Sequence, residues 1–594
     1  MIRKDKNKLK DGSVKTYIRV VESYRPGPGL KPKQRTLKSF GYLEDQPDPE
    51  AFLREVEAFD QDPTQRQQVS SLRMYNGNNH RMNYGYKFLE AVYNGLGIPG
   101  FIQDFLDTSG FRGSYNVNEI FKYLVLNRIL APDSKRASLQ RQQAFYGWDL
   151  NLELPHMYRA MDQMAAFGTR LQQHLNQRIC ATVGRDLRHA LYDVTNYFFE
   201  IDFPDPDGKL RKKGVSKEHR VDPIVQMGMF LDSNGLPVAM SLFPGNTSDT
   251  STLQPVMQEL KQSYELGRLI VVADKGLNSS KNIDYICAHG DGYVVSQALR
   301  GTKGKRYLEA MLEEQDYVWN ADRSYKYKLF TESYTGLDRD GRKETRQRQV
   351  LIYWNRDEAL RAARKREEKL LMADRARRNP AYGIRKGVQE YTKELLVDRE
   401  SGEILENLRK VGTVDYEKAE LDARFDGYFC LITSELDYDA AKIREVYSGL
   451  WKIEESFRIL KSDLAARPVF VSTQEHIQAH FLICFTALLI LRLIQYALKE
   501  TPMAAERIVR ALNAATCKVR PGGYVELDDV GGSLGFEKRR NSQGKWLDTL
   551  KFSPVDEVAE DYRKIQNAFG TDLYDVEVKQ EVFSRFLKKI QYPF

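Results

Sequence analysis

Three acidic residues stand where a carboxylate needs a specific partner. Asp193 interrupts an apolar and aromatic strand pattern, Asp274 ends a buried-type strand, and Glu454 follows Ile453 at the edge of an apolar helical stripe. A buried carboxylate without a cation or a donor is costly. Carboxylates that lie close together are best neutralised by a divalent ion. Such an all-oxygen site suits magnesium or manganese, and two of these ions support in-line phosphoryl displacement.

The same residues also have purely structural interpretations. Asp193 could cap a turn, and Asp274 could cap the helix that follows it. Glu454 and Lys461 lie two turns apart on one predicted helix and could form a solvated ion pair. The residues alone leave both interpretations open.

The two aspartates lie in a segment that alternates between strand and helix patterns. The predicted strands are 190–199, 224–232, 236–243, 268–276 and 292–296, and the predicted helices are 250–266 and 279–289. Three strands joined by hairpins, followed by helix, strand, helix and strand, form a mixed sheet with helices on its faces. If the first and fourth strands are neighbours, Asp193 and Asp274 face one another.

Glu454 lies on a predicted helix from Tyr447 to Lys461. Its apolar stripe consists of Leu450, Ile453, Phe457 and Leu460. A second, apolar helix is predicted at 474–498, and its longest apolar run, 481–491, is too short to span a membrane. His476 and His480 lie one turn apart on this helix, a spacing that suits zinc. No third ligand accompanies them, so packing or a DNA contact is the alternative.

A strand-rich stretch separates the second aspartate from Glu454. Trp319 and Trp354 in this stretch are candidates for stacking on a flipped base, with core packing as the alternative. The charged helix predicted at 358–378 carries eight arginines and lysines beside its acids. It could bind DNA or present a solvated face.

Composition describes a globular protein with several domains. The chain has 594 residues, 42% hydrophobic and 29% charged, and five scattered cysteines that suit a reducing cytoplasm. No apolar signal-peptide region is predicted near Met1. Residues 1–38 hold twelve Lys/Arg against three Asp/Glu and contain two predicted strands, 15–24 and 34–43. Such a basic arm usually meets a polyanion, or it is a solvated terminus. Residues 84 to 186 show a helical pattern with interleaved basic residues. These helices could bind DNA, or they could serve only for structural packing.

The stretch from Tyr447 to Lys461 resembles the Y-x2-R-x3-E-x6-K signature of insertion-sequence DDE transposases of the group numbered four. Leu450 stands where the signature has arginine. In this respect the chain resembles a subgroup of these transposases in which the motif continues W-x-I-E-x-x-F-R-x-L-K-S, as it does here from Trp451. Other blocks resemble the same subgroup: Asp193-Val-Thr-Asn, Gly214-Val-Ser-Lys-Glu-His-Arg220, Phe243-Pro-Gly-Asn-Thr-Ser-Asp249 and Ala273-Asp-Lys-Gly276.

The resemblance implies an α/β fold with an RNase H-like mixed-sheet catalytic core. A β-rich insertion domain interrupts that core, between an N-terminal basic β/helical region and a helical C-terminus. The expected regions are a basic two-stranded region (1–60), a helical, DNA-binding region (61–186), a first core segment (187–299), the insertion (300–439), a second core segment (440–500) and a C-terminal region (501–594).

The resemblance also implies a catalytic, metal-binding triad of Asp193, Asp274 and Glu454 with two Mg²⁺ or Mn²⁺ ions. The phosphate contacts it implies come from Tyr447, Arg458 and Lys461. Lys217 and Arg220 are candidates for a similar role, with a solvated loop as the alternative. The enzyme would bind terminal inverted repeats as a homodimer, cleave them by hydrolysis and join the 3′-OH ends to target DNA. Its place would be the cytoplasm of a bacterium or archaeon, at the nucleoid and away from membranes.

Two other hypotheses stay open at this point. One is a DNA-binding protein derived from a transposase without transposition activity. The other is a metal-dependent phosphatase that uses Asp193-Val-Thr as its nucleophile motif.

Overall fold

The computed structural model describes sixteen stretches of the chain. They are 2–8, 14–24, 33–61, 81–201, 203–206, 208–217, 221–264, 267–301, 304–378, 391–393, 413–520, 522–527, 532–540, 546–554, 556–573 and 576–594. The chain divides into two compact units: Met1–Gly95 with Lys122–Met157 and Ile494–Phe594, and Leu96–Phe121 with Tyr158–Leu493. Every candidate site residue belongs to the second unit, and Arg220 lies outside the described residues.

The strands in chain order are β1 (Ile2–Lys8), β2 (Val14–Tyr24), β3 (Lys33–Tyr42), β4 (Met82–Asn83), β5 (His189–Phe198), β6 (Ile224–Leu231), β7 (Pro237–Pro244), β8 (Ile270–Ala273), β9 (Gly292–Ser296), β10 (Val318–Trp319), β11 (Tyr325–Leu337), β12 (Lys343–Asn355), β13 (Thr392–Lys393), β14 (Thr413–Val414), β15 (Tyr428–Thr433), β16 (Thr516–Arg520), β17 (Tyr524–Leu527), β18 (Gly532–Arg540), β19 (Trp546–Pro554) and β20 (Glu577–Lys579).

The helices are α1 (Pro49–Gln61), α2 (Tyr86–Gly95), α3 (Ile98–Ser109), α4 (Val117–Leu130), α5 (Lys135–Gln140), α6 (Leu154–Thr182), α7 (Asp249–Ser263), α8 (Ser280–Ala288), α9 (Lys305–Leu312), α10 (Arg356–Arg378), α11 (Tyr416–Ala423), α12 (Ala440–Ser448), α13 (Trp451–Arg458), α14 (Gln474–Ala497), α15 (Ala505–Ala514), α16 (Glu557–Ala568) and α17 (Gln580–Lys589). A 3₁₀ turn covers Leu43–Asp45, and a π-helical turn covers Ile459–Asp463.

The basic N-terminal region has three strands, so the prediction of two was wrong. β1, β2 and β3 form one antiparallel sheet in that order. Ile18 and Val20 pack with Val56 and Phe59 of α1 in a small core. The sequence of β1, Ile-Arg-Lys-Asp-Lys-Asn-Lys, lacks the apolar alternation that marks a half-buried strand. It is a strand because it pairs with β2.

The C-terminal region contains strands as well as helices, so the prediction of a helical C-terminus was also wrong. β16, β17 and β20 join β4 in a four-stranded sheet, and β18 pairs with β19. Cys517 of β16 lies opposite Met82 of β4. The pairing of β16 with β4 joins residues more than four hundred positions apart, and a local pattern does not reveal that pairing.

One nine-stranded sheet organises the second unit. Its order is β10-β11-β12-β15-β9-β8-β5-β6-β7, with β5, β8 and β9 parallel and the other pairs antiparallel. The predicted mixed sheet with three hairpin-connected strands is therefore present. Four strands from 300–439 continue this sheet through the β15–β9 pair, rather than forming a sheet of their own.

The two faces of this sheet carry different helices. Tyr192 and Val194 of β5 and Ala273 of β8 are buried with residues of α7, α8 and α9 on one face. Side chains alternate between faces along a strand, so Asp193 and Asp274 project from the other face. On that face α13 contacts β5, and α12 contacts β8 and β9.

α14 is the helix of the described residues that is long and apolar enough to cross a membrane. Yet 94% of its most apolar 18-residue window is buried inside the protein. Length and composition alone cannot separate a membrane span from a core helix. The burial of this helix is what a core helix shows.

Candidate active site

The two aspartates come from neighbouring parallel strands. Leu191 of β5 lies opposite Val272 of β8 in the last pair of their register. Asp193 and Asp274 each follow two residues further along their strands. The first and fourth strands of this segment are therefore neighbours, an arrangement that the sequence order allowed, and the carboxyl ends of both strands meet at one edge of the sheet.

The structural interpretations of these two aspartates are wrong. Asp193 lies within β5, so it caps no turn. The cap of α8 is Ser279, whose Oγ accepts a hydrogen bond from the backbone N–H of Asn282 at 3.2 Å. Asp274 therefore does not cap α8, and helix capping does not explain the carboxylate at the end of β8.

The Asp274 carboxylate is exposed and held by two hydroxyl groups. Ser296 Oγ donates to Asp274 Oδ1 at 2.7 Å, and the Tyr447 hydroxyl donates to the same oxygen at 3.2 Å. Burial, and then the charge of Asp274, raises the pKa of Tyr447, so its hydroxyl keeps the proton that it donates. Tyr447, predicted as a phosphate contact, thus binds a carboxylate of the site.

Asp193 is partly buried in an acidic environment. Burial raises its pKa to about 6, the charges of Asp274 and Asp249 add to that rise, and Lys217 opposes it. Lys217 Nζ donates to the carbonyl of Val194 and lies 4.0 Å from Asp249 Oδ2. No ion pair joins Asp193 to a cation in the described part of the chain, so its negative charge is poorly compensated.

Asp249 is a site residue that sequence reasoning missed. It begins α7, directly after the N-cap residue Ser248, and its charge reaches both Asp193 and Tyr192. The signal was present, because Asp249 closes the Phe243–Asp249 motif block. Only the fold places it beside the first aspartate.

Glu454 lies on α13, with an exposed side chain next to the buried Ile453 and Phe457. The predicted helix 447–461 is interrupted: α12 ends at Ser448, α13 begins at Trp451, and a π-helical turn follows. An added Cβ at Gly449 would lie 3.5 Å from Leu191 Cδ2, so the interruption sits directly on β5. α13 is thereby placed on the sheet face from which Asp193 projects.

No preformed metal site is complete. Among the described residues, no three His, Cys, Asp or Glu side chains come together closely enough to hold an ion. The donor chemistry nonetheless fits one, because carboxylate oxygens are the ligands that Mg²⁺ and Mn²⁺ prefer. Burial is the main cause of the raised pKa of Asp193, and the charges of Asp274 and Asp249, which a divalent cation would offset, add to it.

The basic residues predicted to contact phosphate have defined positions around this face. Lys461 lies in the π-helical turn, with its ammonium 5.7 Å from the centre of the Tyr197 ring. The exposed Arg458 guanidinium lies 3.5 Å from Asp463. Because of the π turn, the regular helical angle between Glu454 and Lys461 does not apply.

A cleft of about 490 Å³ opens beside Asp274. Its cationic lining residues are Lys275, Arg300, Arg361 and Lys365. Tyr353 and Phe429 line it with stacked rings, 5.2 Å apart at 17°. Phe429 is 39% exposed, so one aromatic face remains available to a ligand.

Trp319 and Trp354 lie on β10 and β12 and do not line this cleft. Their rings contact each other edge to face, 6.0 Å apart. Trp354 Nε1 donates to the carbonyl of Asp426 at 3.0 Å, while Trp319 is 40% exposed. Base stacking by these residues stays a prediction, and Trp319 is the more accessible of the two.

The two histidines of α14 make contacts that need no zinc. His480 is buried, with Nε2 3.1 Å from the carbonyl oxygen of Ala466. His476 Nε2 lies 3.2 Å from Asp162. These contacts match the packing interpretation.

Comparisons with known proteins identify the family. A family model described as "Transposase DDE domain" matches residues 200–490, which include Asp274 and Glu454 and begin after Asp193. A model described as "IS1634 family transposase, N-terminal domain" matches residues 2–69. The solved "Mos1 transposase paired-end complex with left transposon end" aligns at 13% identity over 42% of this chain and 68% of that chain. Its TM-score of 0.14 is too low to establish a common fold. No curated protein matches the chain.

The matches define the class first: the chain is a transposase with a DDE domain. With its N-terminal match it belongs to the insertion-sequence DDE transposases and is a DNA transposase of an insertion sequence. The family that the motif blocks indicated, the insertion-sequence DDE transposases, is therefore confirmed. Such domains use divalent metal ions and act on DNA. The phosphatase hypothesis has no remaining support.

Proposed function

We propose that the transposase has an RNase H-like core in which Asp193, Asp274 and Glu454 hold two Mg²⁺ or Mn²⁺ ions. The observation that carries this proposal is the origin of Asp193 and Asp274 on adjacent parallel strands, on the sheet face that α13 covers. The strand order β7-β6-β5-β8-β9, antiparallel and then parallel, supports the core. When bound, the ions supply the Lewis acidity that phosphoryl transfer requires.

In this proposal the enzyme binds the terminal inverted repeats, cleaves their ends hydrolytically and joins the 3′-OH groups to target DNA. Ser296 and Tyr447 orient Asp274, as their hydrogen bonds to its Oδ1 support. Lys217, Arg220, Tyr447, Arg458 and Lys461 contact DNA phosphates, and Trp319 or Trp354 stacks on a flipped base. Since Tyr447 already binds Asp274, its phosphate contact would be a second role of the same hydroxyl.

DNA reaches this face along the cleft beside Asp274. The cations of that cleft attract phosphates, and the exposed ring of Phe429 offers a surface for a base. The basic N-terminal strands bind the duplex elsewhere. We further propose a homodimer that holds two element ends together, acting in the cytoplasm at the nucleoid.

The test uses purified protein and a DNA fragment that ends in the element's inverted repeat. Asp193→Asn, Asp274→Asn and Glu454→Gln should each abolish Mg²⁺-dependent cleavage and strand transfer while keeping the affinity for the repeat. Full cleavage by any one variant removes that residue from the triad. Binding without cleavage by the unmodified protein would favour a DNA-binding protein that has lost transposition.

A further inference from the structure

Arg492 of α14 is a buried arginine whose bonds converge on the helix that carries Glu454. It is 8% exposed. Its Nη1 donates to Glu455 Oε2 at 2.9 Å, and its Nη2 donates to the carbonyl of Lys452 at 2.9 Å. Nη2 also donates to Ser456 Oγ at 2.7 Å, and Nε lies 3.2 Å from the same oxygen.

The residues that Arg492 contacts lie before and after Glu454 in the sequence. Lys452 and Ser456 are two residues before and two residues after Glu454, and Glu455 is its direct neighbour. One planar guanidinium with a fixed fork of donors thus contacts three places on one helical turn. An arginine in that position restricts the rotation and the tilt of this turn.

A second contact fixes the same helix against the sheet. Lys452 Nζ donates to the carbonyl of Ser233 at 2.5 Å, in the turn between β6 and β7. An added Cβ at Gly235, whose φ is +83°, would lie 3.2 Å from Lys452 Cδ. The turn therefore approaches the lysine stem closely, and α13 is held between this turn and α14.

We propose that Arg492, through Glu455, Ser456 and the Lys452 carbonyl, is a positioning residue that sets the direction of the Glu454 carboxylate. This inference rests on the proposed function of Glu454 as a metal ligand. Glu455 then has a role of its own, as the carboxylate that anchors Arg492. Groups that orient ligands in this way change metal affinity by about 10- to 100-fold when they are removed.

Loss of a buried arginine also lowers stability, so the test must separate stability from positioning. Arg492→Met leaves Glu455 without its partner, whereas Arg492→Met with Glu455→Met removes both charges and keeps apolar volume. Replacing both partners of a buried ion pair by apolar residues is often neutral for stability. The double variant should therefore recover the melting temperature but not the geometry around Glu454.

The measurement is cleavage of inverted-repeat DNA as a function of Mg²⁺ concentration, with melting temperature and DNA affinity recorded for each variant. Arg492→Met and the double variant should both raise the half-saturating Mg²⁺ concentration about tenfold, with unchanged DNA affinity. Glu455→Gln, which keeps an oxygen acceptor for Arg492, should fold normally and raise the half-saturating Mg²⁺ concentration by less than Arg492→Met does. An unchanged Mg²⁺ dependence in Glu455→Gln and in either Arg492 variant overturns the proposal.

Arg348→Met is the matched control. Arg348 is also 8% exposed, and its Nε bonds Glu332 at 2.7 Å between β12 and β11, with no bond to α13. Its loss should lower the melting temperature without changing the Mg²⁺ dependence. Glu454→Gln separates the two levels of the proposal. If it cleaves normally, the proposed triad fails; if it is inactive while the Arg492 variants keep normal Mg²⁺ dependence, only the positioning role fails.

Discussion

Carboxylates near the two ends of strand β8 have different hydrogen-bond partners. Before the strand begins, Arg268 binds Glu435 with two hydrogen bonds, Nη1–Oε2 at 2.9 Å and Nη2–Oε1 at 2.5 Å. Where the strand ends, Asp274 is exposed and bonded only by hydroxyl groups among the partners that the structure describes. A carboxylate paired with arginine thus lies near the start of β8, and a carboxylate held only by hydroxyl groups among the described partners lies just after its end.

The difference extends to the neighbouring strand β5. Burial raises the pKa of both Asp232 and Asp193. Arg185 and two backbone N–H groups oppose that rise at Asp232. At Asp193, Lys217 and the backbone N–H of Val194 oppose it, while the charges of Asp274 and Asp249 increase it. An edge that pairs every carboxylate maintains the fold. At the edge with Asp193 and Asp274, no ion pair joins either carboxylate to a cation among the described residues, which supports the proposed binding of a metal ion there.

The largest expected effect separates the two edges by activity. Asp274→Asn should lower cleavage of inverted-repeat DNA by about a thousandfold or more, because catalytic groups that act as a unit fail together. Glu435→Gln should leave the cleavage rate of the folded protein within about twofold. Rates measured at saturating DNA and Mg²⁺ test this contrast. A similar loss in both variants would mean that the two edges do not differ in function.

The second prediction separates the edges by stability. Asp232→Ala should lower the unfolding free energy by about 3–5 kcal/mol, because it leaves a buried Arg185 unpaired. Asp274→Ala, at an exposed position, should change it by less than about 1 kcal/mol. Urea unfolding followed by tryptophan fluorescence compares the two. A large loss in the Asp274 variant would make that residue structural.

The third prediction concerns pH in metal-free protein. The pKa of Asp193 is about 6 in the folded state, against an ordinary value of 3.8. The folded state therefore holds a proton that the unfolded state releases, and the unfolding free energy falls as pH rises from about 4 to 6. The Asp193→Asn variant lacks this fall in unfolding free energy. It should therefore be more stable than the unmodified protein by roughly 1–2 kcal/mol at pH 7, with no gain near pH 4. Unfolding in EDTA at both pH values measures it; an equal gain at both would contradict the shifted pKa.

The smallest expected effect concerns DNA binding. Lys461→Met should weaken binding similarly for all sequences and reduce the salt dependence of log K by about one phosphate contact. Lys442, at the start of α12 and beside Glu445 at 3.0 Å, belongs to the opposite edge. Lys442→Met should leave the salt dependence unchanged. Equal slopes for both variants and the unmodified protein would remove Lys461 from the DNA interface.

Much of the site could be predicted because its signals are local. The apolar run of β8 ends in Asp274, the pattern of β5 contains Asp193, and the stripe of α13 places Glu454 at its border. Each of these patterns reflects how one short segment packs against the core, so a few neighbouring residues are enough to predict it. The motif blocks then identify the family, as the comparisons confirm.

Other features depend on segments that are far apart in the chain, and only the tertiary structure decided them. Those features are the continuation of the sheet through β15, the pairing of β16 with β4, and the contacts that Tyr447 and Arg492 make with Asp274 and Glu455. By itself the sequence determined the family and indicated the candidate site residues, because motif blocks and strand and helix periodicity extend over only a few residues. The structure decided which groups hold them, because such contacts join residues that no local pattern connects.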